Sequence, residues 1–149
     1  MYTLDANIYA RDIDPNDPNY TDCHALLERL KQGDVPIIVP TLLLAELAAS
    51  ISRVRRDPIR ARLIVEALQS LPFMEFVDLD RTLGQAAAEI AADRAVKGAD
   101  AVYIAVAHRY GCTLVTLDQE QASRAAPIVT VMTPQEALRV LTFVPGTQG

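Results

Sequence analysis

The sequence has no tryptophan, two cysteines and two histidines, and aromatic residues fill only 5% of its 149 positions. Cys23 and Cys112 stand far apart, form no CxxC pair and have no histidine cluster beside them. A disulfide framework, a redox pair and a zinc site are therefore unsupported, and both are expected to be reduced, packed thiols. There is no excess of positive charge: 14 Lys and Arg against 19 Asp and Glu leave a net charge of -5. That balance excludes a protein that holds nucleic acid by general electrostatic attraction. No uncharged stretch is long enough to cross a bilayer and no basic, apolar leader opens the chain, so a cytoplasmic protein without membrane attachment is expected. A glycine-rich phosphate loop and a serine nucleophile elbow are missing too, which leaves P-loop and triad chemistry without a motif.

What is there suits one domain. A chain of this length can bury roughly 70% of the surface it exposes when unfolded, half of its residues are hydrophobic, and 22% are charged. No linker or repeat divides it, so residues 1–143 are expected to form a single domain and 144–149, "VPGTQG", a loose tail. Short β-rich runs alternate with helical ones. "MYTL", "VPIIV", "FMEFVDL", "CTLVTLD" and "IVTVM" are strand candidates. Helices are expected over "TDCHALLERLKQG", "PTLLLAELAASISRV", Pro58 to about Ser70, "RTLGQAAAEIAADRAV", "DAVYIAVAHRY", from Gln119 and from Pro134. Between the first strand and first helix, "DIDPNDPN" is a turn-rich loop. Such alternation implies an α/β fold with a parallel sheet covered on both faces. In open sheets of that kind, ligands bind beyond the carboxyl ends of the strands, where the strand order reverses.

The informative pattern is the isolation of particular acids. Glu46 is the only charged residue between Asp34 and Arg53, inside the apolar helix "TLLLAELAASIS". Asp100 is the only formal charge between Lys97 and Arg109, Asp118 ends the uncharged run that begins after Arg109, and Asp5 stands alone before Arg11. A buried carboxylate without a partner loses several kcal/mol of solvation or is neutralised by a raised pKa. No basic residue in these stretches can pair with them locally, so the economical account is that they converge and share divalent cations. Mg²⁺ and Mn²⁺, hard ions that take carboxylate oxygens and keep water, suit such a set. Each acid also has a structural alternative. Asp5, Asp100 and Asp118 can each cap a turn or helix, a use worth about 1 kcal/mol, whereas Glu46 is harder to explain that way, because a helix so apolar is expected to be buried on most of its faces. The one basic stretch, "RVRRDPIRAR", offers Arg53, Arg55 and Arg56 as contacts for RNA or a protein partner, against the plainer account of a solvated corner between helices. His24 and His108 lie among apolar neighbours and are expected to pack or to lie at the surface, not to catalyse.

With these residues in place, the chain resembles the PIN-domain family, in particular the toxin ribonucleases of VapBC-type toxin-antitoxin pairs. The resemblance is carried by "LDAN", "PTLLLAEL" and "GADAVYIAVAHRYGCTLVTLD", in that order and spacing, over about 115 residues. It implies a three-layer α/β/α domain with a parallel sheet of four to five strands in the order 3-2-1-4-5, which sets Asp5 beside Asp118. It also implies Mg²⁺- or Mn²⁺-dependent endonucleolytic cleavage of RNA, a homodimer, and inhibition by a small antitoxin. On the family's pattern Asp5, Glu46, Asp100 and Asp118 form the acidic quartet, with Asp5, Asp100 and Asp118 as metal ligands and Glu46 acting on the water. Thr116 falls on the hydroxyl position two before the last Asp, and Asn7 on a supporting position. The chain departs after Asp118, where the family often has an acidic residue followed by Phe and this chain reads "DQEQA", with Glu120 and Gln121. The rival expectation is a PIN-like scaffold without catalysis that binds a protein partner through its acidic groove.

Overall fold

A computed structural model describes residues 1–142, and the tail expected at 144–149 lies outside them. The β-rich runs become five short strands: β1 (Tyr2–Leu4), β2 (Ile37–Pro40), β3 (Met74–Val77), β4 (Thr113–Val115) and β5 (Val131–Met132). They form one sheet in the order β3-β2-β1-β4-β5, and every pairing is parallel. The central strand β1 is buried throughout. A strand covered on both faces cannot alternate apolar and polar residues as an exposed one does. Thr3, fully buried on it, donates its hydroxyl to the Ile38 carbonyl oxygen at 2.7 Å, so that hydroxyl is not left unbonded by burial.

Eight helices accompany the sheet among the described residues: α1 (Ala6–Asp12), α2 (Tyr20–Gln32), α3 (Leu42–Arg55), α4 (Pro58–Gln69), α5 (Arg81–Arg94), α6 (Gly98–Tyr110), α7 (Gln119–Ala125) and α8 (Pro134–Thr142). Helix α6 is the apolar centre: every residue from Ala101 to Ala107 is buried, and it packs on β1, β2 and β4. That burial explains its near-total lack of charge. Each fully buried Ile or Val there stabilises the fold by about 1.5–3 kcal/mol relative to exposure. Cys23 and Cys112 are buried free thiols, as expected.

Three local expectations change. Residues 6–12, expected to begin only a turn, make the full helix α1; its seven residues bury just Ile8 and Tyr9, too few to give a readable apolar stripe. Helix α6 begins at Gly98, with Lys97 at its N-cap position, so Asp100 lies in the first turn and does not cap the helix. Helix α3 is not buried on most of its faces. Leu43, Leu47 and Ile51 form a buried stripe at four-residue spacing, while Ala45 and Ala49 are exposed, because alanine carries little apolar surface. Glu46 is consequently half-buried.

The chain builds the sheet outward from β1 through β2 to β3, then returns to lay β4 on the other side of β1. The order therefore reverses between β1 and β4, and a crevice is expected at their carboxyl ends. Asp5 directly follows β1, and Thr116, Leu117 and Asp118 directly follow β4.

Candidate functional site

Asp5 is delivered to the crevice by β1 and held there by α1. It is 7% exposed. Its backbone N–H donates to the Val115 carbonyl oxygen at 3.0 Å, continuing the ladder with β4 by one bond. Its Oδ2 accepts from the Asn7 backbone N–H at 3.1 Å, which makes Asp5 the N-cap of α1. Its Oδ1 accepts from the Gln121 Nε2 at 3.2 Å. The capping role weighed from sequence is real, and it leaves room for another. A carboxylate has about four lone-pair sites, and two N–H donors leave one open on each oxygen.

The β4 end is tied to the same spot. Thr116 is 2% exposed; its Oγ1 accepts from the Asp118 backbone N–H at 3.1 Å and from Asn7 Nδ2 at 3.4 Å. Asn7 Oδ1 in turn accepts from the Leu117 N–H at 3.5 Å. Asn7 and Thr116 thus join the first residues of α1 to the loop that presents Asp118. Asp118 caps α7, its Oδ1 accepting from the backbone N–H groups of Glu120 at 2.9 Å and Gln121 at 3.1 Å. Here too the capping alternative holds, on one oxygen of the carboxylate.

Glu46 approaches from α3, and its Oε1 accepts from the Tyr103 hydroxyl on α6 at 2.7 Å. Tyr103 is fully buried; burial first, and then the Glu46 carboxylate, push its phenol far above the ordinary tyrosine range, so it remains a donor. Burial also raises the Asp5 carboxyl, helped by the negative charges of Glu46 and Asp118 and opposed by the N–H donors of Asn7 and Gln121. Asp100 is pushed up to about 6, mainly by burial and then by Asp5 and Asp118, with Lys97 pulling the other way. Asp5 is thus the acid that the other three share, within electrostatic reach of Glu46, Asp100 and Asp118. Among the described residues, none of the four forms an ion pair with Lys, Arg or His.

The arrangement suits a particular kind of cation. Among the described residues no three His, Cys, Asp or Glu side chains close tightly enough to enclose an ion by themselves. The donor set is all carboxylate oxygen, with open lone pairs on the buried Asp5 and no softer ligand in the crevice. That fits a hard ion such as Mg²⁺ or Mn²⁺ that keeps several waters and touches one or two carboxylates, and does not fit zinc.

The arginines separate. Arg53 is exposed and lines an open groove with Glu46, Ala49, Ser50 and Val54. Arg55 donates from Nη2 to the Ile13 carbonyl oxygen at 3.0 Å and stands 4.0 Å from Asp14, which ties it to the loop after α1. Arg56 ends α3 in the left-handed conformation. Sequence reasoning missed Tyr103, whose only signal was a hydroxyl in an otherwise apolar helix, and noted Gln121 only as a departure from a pattern.

The family model of the PIN domain matches residues 2–127. The chain belongs to the PIN domain family. Solved structures agree on the fold. VapBC of Salmonella typhimurium, bound to DNA, aligns at TM-score 0.69 with 19% identity, covering 90% of this chain and 98% of that one. FitAcB of Neisseria gonorrhoeae aligns at 0.68 with 23% identity over 91% and 99%. VapC20 of Mycobacterium tuberculosis, a toxin that cleaves the sarcin-ricin loop, aligns at 0.68 with 19% identity over 87% and 97%. No curated protein matches by sequence. The PIN domain match spans all four acids, and Asp5 and Asp118 follow the two strands between which the order of this PIN fold reverses. Among the described residues no helix is long and apolar enough to cross a membrane.

Proposed function

We propose that this PIN domain is an endoribonuclease that depends on Mg²⁺ or Mn²⁺ and serves as the toxin of a toxin-antitoxin pair. What supports the reading is that Asp5 and Asp118 directly follow the two strands between which the sheet order reverses, that Asp5 feels the charges of Glu46 and Asp118 and Asp100 those of Asp5 and Asp118, and that among the described residues none of the four forms an ion pair with Lys, Arg or His. Such a set repels a phosphodiester unless positive charge is brought in. A bound divalent ion supplies that charge, lowers the pKa of water and stabilises the leaving oxygen.

Asp5, Asp100 and Asp118 would hold the ion, directly or through water, with Asp5 and Asp118 steadied by the N–H groups already on them. Tyr103 occupies Glu46 Oε1, which leaves Oε2 to orient the attacking water and accept its proton. Asn7 and Thr116 keep the two strand ends in register. Arg53 lies seven residues beyond Glu46 on α3, about 10 Å along the axis, where its guanidinium can meet a phosphate away from the cut. The sarcin-ricin cleavage of VapC20 supports RNA as the substrate class. An antitoxin and a second copy of the chain as partners rest on the resemblance, and exposed Val54, Ile59 and Leu63 on α3 and α4 offer a protein partner apolar surface.

The test is cleavage of structured RNAs in Mn²⁺ by the wild type, Asp5→Asn and Asp100→Asn. Metal-dependent cutting by the wild type alone is expected. Equal cutting by all three would mean a contaminating nuclease and would remove the catalytic claim. Mn²⁺ binding with no cutting would favour the scaffold that uses its acidic groove to hold a partner.

A further inference from the structure

Gln121 is fully buried, although a buried amide is costly unless its polar atoms are bonded. It sits on α7 one turn beyond Asp118, at the position where the family pattern often has Phe. Its Nε2 donates to Asp5 Oδ1 at 3.2 Å and to the Asp100 carbonyl oxygen at 3.5 Å, and its backbone N–H donates to Asp118 Oδ1 at 3.1 Å. One residue therefore touches three of the four acidic positions. Those contacts also fix which way its amide faces, because the reverse orientation would set an oxygen against a carboxylate oxygen and a carbonyl. In this orientation Oε1 is buried without a hydrogen-bond partner among the described residues. An apolar side chain of similar size would avoid that penalty.

We propose that Gln121 is a positioning residue of the acidic site, clamping the Asp5 carboxylate to the first turn of α6. The inference rests on the metal-dependent reading above. A hydrogen bond on Oδ1 limits how the Asp5 carboxylate can rotate, and partners of this kind around a metal ligand typically change affinity 10- to 100-fold when removed. The backbone N–H groups of Asn7 on Asp5 and of Glu120 and Gln121 on Asp118 also hold these acids, but Gln121 is the side chain among the described residues that links Asp5 to α6.

Gln121→Met keeps length and helix preference while removing the amide; Gln121→Leu is a second apolar replacement should the first fold poorly. Mn²⁺ affinity is measured by titration calorimetry, and the Gln121 side-chain amide of the wild type is followed by NMR as Mg²⁺ is added. The expected results are about tenfold weaker Mn²⁺ binding in both variants and a shift of the Gln121 amide signals with Mg²⁺. Unchanged Mn²⁺ affinity in the variants, or an amide signal that ignores Mg²⁺ while Asp5→Asn abolishes binding, overturns the positioning role and leaves the metal site standing. A wild type that binds no Mn²⁺ overturns both.

Discussion

Asp100→Asn is expected to make the metal-free protein more stable at neutral pH while removing its response to divalent ions. In the folded protein the Asp100 carboxyl is pushed from 3.8 up to about 6, by burial first and by Asp5 and Asp118 next. Because the folded pKa lies above the unfolded one, the native state binds more protons between about pH 4 and 6, and stability falls as pH rises through that window. The displacement corresponds to at most about 3 kcal/mol of destabilisation above it. Asp100 is only partly buried, so solvent screening reduces the expected penalty to about 1–2 kcal/mol. Asparagine keeps the shape without the charge. Urea unfolding in EDTA at about pH 7.5 is therefore expected to show Asp100→Asn ahead of wild type by about 1–2 kcal/mol, and the advantage is expected to shrink at about pH 5, where wild-type Asp100 is mostly protonated. An asparagine variant that is equally or less stable at pH 7.5 would refute the claim that this crevice holds uncompensated negative charge.

Millimolar Mg²⁺ or Mn²⁺ is expected to raise the wild-type melting temperature, with stabilisation of about 2.7 kcal/mol at a hundred times the dissociation constant; no shift would mean that the folded state binds neither ion. Tyr103→Phe removes the hydroxyl from Glu46 Oε1 and is expected to cost about 1 kcal/mol in unfolding measurements, since half-buried Glu46 recovers water, while cleavage falls about tenfold as the acid loses its fixed orientation. Gly111 closes α6 with φ of 64°, so Gly111→Ala is expected to cost about 1 kcal/mol by denaturation with little effect on metal affinity.

The strands were legible because they are written in runs of neighbouring residues. Uncharged β-rich stretches mark buried parallel strands, and an acid alone in such a stretch, as at Asp5 or Asp118, stands out without any knowledge of contacts. The adjacency of β1 and β4 came from the resemblance alone and appears in the sheet as the Tyr2–Thr113, Thr3–Leu114 and Leu4–Val115 pairing. Helix α1 was not legible, since seven residues with two buried side chains give no full period. Nor was Tyr103 on Glu46, a contact across 57 residues, or Gln121 on Asp5, across 116. Nothing local to Gln121 distinguishes it from a solvated helix residue; only the folded chain places it under the carboxylates. Glu46 was singled out partly on an expectation of burial that α3 does not meet, because the helix exposes Ala45 and Ala49 and the acid is only half-buried.

The central claim is that these carboxylates share a divalent cation at the strand ends. Anomalous diffraction from crystals soaked in Mn²⁺ tests it most directly. The account predicts a peak in the crevice between Asp5, Asp100 and Asp118, lost in Asp5→Asn; an empty crevice at saturating Mn²⁺, or a peak that survives the substitution, would contradict it.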